Sequence, residues 1–282
     1  MKKTIFKGMA SALITPMNEN GVDYEALGRF IDFQIENGIN ALVAVGTTGE
    51  NATLEPEEQK EVIRFTVERA AGRVPVIAGT GTNNTEHVLH NTRNACEVGA
   101  DAVLVVTPYY NKANPQGLTK SFLATAEATS KPIILYNVPS RTGVDIPIGV
   151  YQKLSRIPNI AGVKEASSDI VKIARSRSAC GPDFSIWSGN DDQIVPTMSL
   201  GGKGVISVLS NILPAETSQM CKDYLNGDVA KAFKLTVDET GYIGIREYLD
   251  EDTARVMDLI MTGVSFFPER IDGIVKGTIT GA

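Results

Sequence analysis

Cysteine, tryptophan and histidine are all scarce in this chain. Its 282 residues hold three cysteines, one tryptophan and two histidines. Cys96, Cys180 and Cys221 are odd in number and widely spaced, which argues against a disulfide framework and fits a reducing, cytoplasmic setting. A catalytic metal ordinarily takes three protein ligands, so His87 and His90 read as a surface pair on a helix. No apolar run approaches the ~20 residues of a membrane span, and none is expected to meet a membrane. The lysines at 2, 3 and 7 precede neither a long apolar stretch nor a clear cleavage site, so no signal peptide is expected. A net charge of -6 without a basic stripe offers nucleic acid nothing to bind. The first strand is followed by no GxGxxG and the chain has no Walker lysine motif, which weakens the nucleotide-binding α/β folds.

What is present is ordinary for a globular enzyme: 43% hydrophobic and 21% charged residues. Eight short apolar runs recur at 10–14, 41–45, 74–78, 102–106, 133–136, 160–164, 184–187 and 204–208. Most are rich in Val and Ile with little polar alternation, as parallel strands buried on both faces should be. Segments with helical periodicity lie between most of them, including 24–37, 56–71, 84–98 and 118–129. Strand, loop and helix repeated eight times predict a (β/α)8 TIM barrel, with a doubly wound open sheet as the alternative. The barrel is assigned to residues 1–213. A C-terminal helical extension follows over 214–282, with helical segments at 214–225, 229–237 and 246–263, and is atypical after about 236.

Barrel active sites form at the C-terminal ends of the strands. The sixth run ends on Lys164. Apolar surroundings disfavour an ammonium, so burial would lower its pKa and free the amine to form an imine with a keto substrate. A strand-end lysine that snorkels to water is the plainer alternative for that stretch alone. The second run leads into Gly46-Thr47-Thr48-Gly49-Glu50, whose hydroxyls and N–H groups suit a carboxylate but also a simple turn. Tyr109, Tyr110 and Asn111 follow the fourth run. Tyr136 closes the fifth, with Arg141 shortly after it. Gly189, Asn190, Asp191 and Asp192 follow the seventh, where the two acids read as a solvated loop or helix cap. Ile206 lies in the eighth, just after a Gly201-Gly202 turn. Trp187 reads as core, with an indole N–H that needs a partner. Gathered at one mouth, these groups form a set for imine chemistry. The lysine attacks a keto carbon, tyrosine and threonine hydroxyls move the protons, and arginine or paired N–H groups hold a carboxylate. That chemistry needs no metal.

The Gly46–Glu50 turn, Tyr109-Tyr110-Asn111-Lys112, Tyr136-Asn137-Val138-Pro139-Ser140-Arg141-Thr142-Gly143, Gly162-Val163-Lys164-Glu165-Ala166 and Gly204-Val205-Ile206-Ser207 together resemble the pyruvate-dependent class I aldolases of the dihydrodipicolinate synthase and N-acetylneuraminate lyase group. The resemblance runs from about Gly8 to about Leu235. It implies that Lys164 forms a covalent pyruvate imine with no separate cofactor. Tyr136 lies over that lysine as proton donor and acceptor. Thr47 links it to Tyr110, which in the family enters from a neighbouring subunit. Thr48 would bind the pyruvate carboxylate and Arg141 that of the second substrate, while Ile206 and Gly189 line the pocket. The neuraminate lyases usually lack an arginine at the place of Arg141, so aspartate semialdehyde is the expected partner of pyruvate, in lysine and diaminopimelate biosynthesis. A homodimer or homotetramer is implied. Alternatives are another pyruvate aldolase with a sugar-derived aldehyde, or a pyruvate-binding protein inactivated by an altered C-terminus. The family's Asn-Pro-Ile-Pro-Val-Lys type segment does not appear between Leu235 and Ala282. At the positions matching the family's lysine-feedback site, namely Asn51, Ala52, Pro56, Gln59, Asn83, His87 and Tyr109, three residues depart from the lysine-sensitive bacterial pattern: Pro56, Gln59 and His87. Weak or absent lysine inhibition is therefore expected.

Overall fold

The computed structural model describes Lys2 and residues 4–233. Eight parallel strands close into a barrel: β1 (Gly8–Ala12), β2 (Ala41–Ala44), β3 (Val76–Gly79), β4 (Ala102–Val106), β5 (Ile133–Asn137), β6 (Ile160–Glu165), β7 (Ser185–Ser188) and β8 (Gly204–Ser207). Each pairs with the next, and β8 returns to β1 with Gly8 opposite Gly204 and Ser11 opposite Ser207. The closed sheet is the expected (β/α)8 barrel and removes the open-sheet alternative.

The strands carry two buried faces. Met9, Leu42, Val103, Leu135, Val163 and Val205 join the core between barrel and helices. Their sequence neighbours Ala10, Val43, Leu104, Ile134 and Ile206 join a second core with Tyr136 and Trp187 inside the barrel. Because both faces are apolar, the period of two is invisible in the sequence and appears only in the fold. Phe6, from the approach to β1, stacks on Trp187 with ring centroids 5.0 Å apart, and the Trp187 indole N–H donates to the Phe6 carbonyl at 3.4 Å. The barrel is thus filled from its N-terminal end up to Trp187, which sits in register beside Lys164.

Helices α1 (Tyr24–Glu36), α2 (Pro56–Ala70), α3 (Thr85–Glu97) and α4 (Pro115–Ala128) occupy the expected segments. Their starts are written in the sequence. Asp23, Asn84 and Asn114 accept backbone N–H groups of their first turns, and Glu55 with Glu58 forms a capping box ahead of α2. Asn114 and Pro115 start α4 three residues before the predicted 118, since Pro suits the first helical position.

Four helices lack a clear sequence signal: α5 (Pro139–Thr142), α6 (Ile148–Leu154), α7 (Ile170–Cys180) and α8 (Ile194–Ser199). The buried face of α7 contains Lys172 and Ser176 beside Ile173, so it has no apolar stripe to detect. Helix α9 (Pro214–Leu225) packs on β1, and its Met220 and Cys221 are part of the core around the barrel. It serves as the outer helix of the eighth β/α unit, so the boundary drawn after Leu213 cuts through that unit. Helix α10 (Val229–Phe233) packs against α9. The remainder of the expected 229–237 helix, the 246–263 helix and the departure after about 236 lie outside the described residues.

Candidate active site

Lys164 is the fifth residue of β6 and points into the barrel, 4% exposed. In register on one side stands Tyr136 of β5, and on the other Trp187 of β7. The Lys164 Nζ lies over the Tyr136 ring, 4.5 Å from its centroid. No carboxylate forms a salt bridge with it among the described residues. Burial therefore dominates and brings the Lys164 pKa down to about 8, with the Arg141 charge pushing the same way and Asp191 opposing both. At pH 7 about one molecule in ten then carries a free amine, against roughly one in several thousand for a solvated lysine.

Tyr136 is buried beside it. Desolvation raises its pKa to about 12, partly offset by the Arg141 charge and by a hydrogen bond with the Thr47 hydroxyl. The phenol stays protonated and linked to Thr47, placing a proton-carrying group over the amine. The turn that carries Thr47 is held open from below. At Gly79 any Cβ would lie 2.1 Å from the Val45 carbonyl oxygen, so only glycine lets the chain leave β2 at Val45 with φ +57 and pass over the mouth. Thr47 is exposed and Thr48 follows half-buried in the same turn.

Gly189 sets the fit from the opposite side. Its backbone N–H donates to the Glu165 carbonyl at 2.8 Å, and a Cβ there would come within 2.6 Å of Ala166 Cβ and 3.2 Å of Lys164 Cε. A side chain would press on the lysine stem. Ile206 lies wholly buried on the inward face of β8, opposite Ala10. Arg141 stands exposed on α5, yet its charge reaches both Tyr136 and Lys164. Of the residues singled out from the sequence, Lys164, Tyr136, Thr47, Arg141 and Gly189 converge. Tyr110 does not. It is 88% exposed and holds φ +67 in the loop after β4, turned to solvent within this chain.

The model of the Dihydrodipicolinate synthetase family matches residues 5–240. The chain belongs to that family. It is 52% identical over 229 residues to the 4-hydroxy-tetrahydrodipicolinate synthase of Thermoanaerobacter sp. (strain X514), covering 81% of this chain and 77% of that protein. The crystal structure of dihydrodipicolinate synthase from Aquifex aeolicus matches with a TM-score of 0.82 and 40% identity, over 96% of this chain and 97% of that one. The chloride-inhibited dihydrodipicolinate synthase from Acinetobacter baumannii, solved in complex with pyruvate, matches with a TM-score of 0.83 and 37% identity, over 99% and 91% of the two chains.

Beside these site residues stand three more: Asp191, which the sequence offered as a loop or cap acid, and two to which it gave no role. Of the two readings of Asp191, solvated loop or helix cap, the structure gives the cap. Asp191 is buried, with Oδ2 accepting the N–H groups of Val208 at 3.0 Å and Leu209 at 3.1 Å, so it caps the 3-10 turn Leu209–Asn211 after β8. Burial raises its pKa, while Ser207, the two N–H groups and Lys164 favour the charged form. The other two, Asn137 and Glu165, immediately follow Tyr136 and Lys164 in their strands and face outward. Their only sequence signal is a polar residue directly after each reacting one. His87 and His90 are both exposed on α3, and His90 is hydrogen-bonded to Asn94 at 3.0 Å.

Proposed function

We propose that the chain condenses pyruvate with L-aspartate 4-semialdehyde to 4-hydroxy-tetrahydrodipicolinate, a carbon–carbon bond-forming lyase reaction of lysine and diaminopimelate biosynthesis. The observation that carries the reading is Lys164, buried with no carboxylate in salt-bridge contact among the described residues and lying against the Tyr136 ring. The free amine attacks the keto carbon of pyruvate, and Tyr136, relayed through Thr47, moves the protons that let water leave. The imine draws electrons from the neighbouring methyl carbon, which loses a proton and attacks the aldehyde carbon. Attack of water or of the product's own amine on the imine carbon frees Lys164. The covalent imine on Lys164 takes the place of a separate cofactor. Thr48 holds the pyruvate carboxylate, and Arg141, exposed at the rim, takes that of the semialdehyde, a pairing suited to a guanidinium. Ile206 and Gly189 line the pocket.

The working form in this reading is a homodimer or homotetramer in which Tyr110 of a neighbouring copy completes the relay to Thr47. The 88% exposure of Tyr110 and its positive φ at the barrel mouth support that reading. We place the enzyme in the cytoplasm. Its three thiols are unpaired, and no helix among the described residues is long and apolar enough to cross a membrane. Lysine inhibits it weakly or not at all. The Gln59 amide is already engaged by the carbonyls of Asn51 at 2.8 Å and Leu54 at 3.1 Å.

Borohydride reduction in the presence of pyruvate, followed by peptide mapping, tests the imine, and loss of semialdehyde in a pyruvate-dependent assay tests the second substrate. A pyruvate-sized adduct on Lys164 with semialdehyde consumption is expected. An adduct without consumption would remove the second substrate, and an adduct on any other lysine would remove the mechanism. In the same assay millimolar lysine leaves the rate unchanged, and sub-millimolar inhibition would contradict that expectation.

A further inference from the structure

The two reacting side chains are followed, in each strand, by a polar residue on the outer face. Tyr136 and Lys164 are register partners inside the barrel, and Asn137 and Glu165 are the next register pair outside it. Both outer residues are buried, at 0% and 2% exposure. Asn137 Nδ2 donates to Glu165 Oε1 at 2.8 Å and to Asp145 Oδ1 at 2.8 Å, and Asn137 Oδ1 accepts the Ile146 N–H at 2.9 Å. The Asn137 carbonyl also accepts the Ala166 N–H at 2.8 Å.

Glu165 is equally engaged. Its Oε1 accepts the Ser167 N–H at 3.0 Å, and its Oε2 accepts the Tyr151 hydroxyl of α6 at 2.7 Å. The Lys172 ammonium of α7 stands 3.8 Å from Oε2 and is also paired with Asp145. Asn137 thereby joins both ends of the 138–145 loop that carries Arg141, and ties that loop to the strand that carries Lys164.

We propose that Asn137 and Glu165 are positioning residues: their buried pair holds Lys164 against Tyr136 and fixes the loop that presents Arg141. This deepens the imine-forming reading and rests on it for its catalytic consequence. The geometric reason is strand pairing. An inward side chain is aimed by the backbone of its strand end, and here that end is fastened on the outer face by one amide reaching two strands and a loop. A displacement of about 1 Å at a reacting centre can cost ~100-fold in rate.

The test compares Asn137→Leu, Asn137→Ser and Glu165→Gln in the full chain. Leu keeps the branched heavy-atom skeleton, though it is bulkier, and removes every side-chain hydrogen bond. Ser keeps a hydroxyl near the Ile146 N–H but cannot reach Glu165, and it serves if the Leu variant does not fold. Gln keeps an acceptor for Asn137. Per folded molecule, Asn137→Leu loses about 100-fold in kcat with a rise in KM for the semialdehyde, Asn137→Ser about 10-fold, and Glu165→Gln only a few-fold.

A second readout needs no turnover: the pH dependence of Lys164 labelling by a small neutral acylating reagent, read by mass. The groups that face Lys164 are Tyr136 of β5, Arg141 of α5 and Asp191 after β7, and none is altered. Asn137→Leu and Asn137→Ser therefore move the labelling profile only by displacing the lysine or the Arg141 loop. A shifted profile with the graded kcat losses is expected. A folded Asn137 variant with the wild-type profile and wild-type kcat would overturn the proposal. If the wild-type chain forms no pyruvate adduct, the proposed function falls, and the labelling profile still decides whether the pair positions Lys164.

Discussion

Lys164 and Glu165 are neighbours in one strand, and both are almost wholly buried. The carboxylate on the outer face meets Asn137, Tyr151, the Ser167 N–H and Lys172. The ammonium on the inner face meets an aromatic ring and, at a distance, the opposed charges of Asp191 and Arg141. Burial with full hydrogen bonding keeps a group fixed in place, whereas burial without a close counter-ion turns a lysine towards its neutral, nucleophilic form. One strand end thus holds a hydrogen-bonded anchor and a lysine shifted towards its neutral form side by side, and their separation by one residue is what lets a β-strand serve both faces at once.

The contrast can be broken most severely at the amine itself. Lys164→Ala leaves no group to form the imine, and borohydride with pyruvate should give no adduct by intact mass while the chain stays folded. Persistence of a pyruvate adduct in that variant would move the chemistry to another lysine. Tyr136→Phe removes the proton carrier but keeps the ring over Lys164. It should lower kcat by roughly 100- to 1000-fold with pyruvate still captured slowly, as stopped-flow imine formation would show. An unchanged kcat would strip the phenol of its role.

The smallest effect sharpens the comparison rather than breaking it. Asp191→Asn keeps an acceptor for the Val208 and Leu209 N–H groups but removes the Asp191 carboxylate that favours the Lys164 ammonium. The Lys164 titration should move down, so trapping below pH 7 speeds up. Slower trapping at low pH would mean that Asp191 acts through the β8 turn and not through its charge.

Much of this was legible beforehand in particular residues. The eight strands announced themselves because parallel strands buried on both faces are apolar throughout, and the candidate site residues stood at strand ends where a barrel gathers them. The same uniform burial hid which residues face inward, so Tyr136 and Lys164 could be named but not seen to be register partners. Helix α7 was missed because Lys172 and Ser176 sit on its buried side. Asn137 and Glu165 look like solvated strand-end residues, and Asp191 like a loop or cap acid whose burial is not visible. Their burial depends on partners, Tyr151, Asp145 and the N–H groups at 208–209, that lie 8 to 18 residues away from at least one member of each contact. Contacts at that separation leave no local pattern in the chain.

The central claim is that Lys164 is reactive because it is buried with no close counter-ion among the described residues. The rate of borohydride-trapped pyruvate adduct at Lys164, measured by peptide mapping from pH 6 to pH 11, tests it most directly. A folded-state pKa lowered to about 8 means that the neutral amine gains with rising pH and saturates above that value, so the trapping rate should climb tenfold per unit below pH 8 and level off beyond it. A rate that keeps climbing to the ordinary lysine range near pH 10.5 would show a solvated ammonium and would contradict the account.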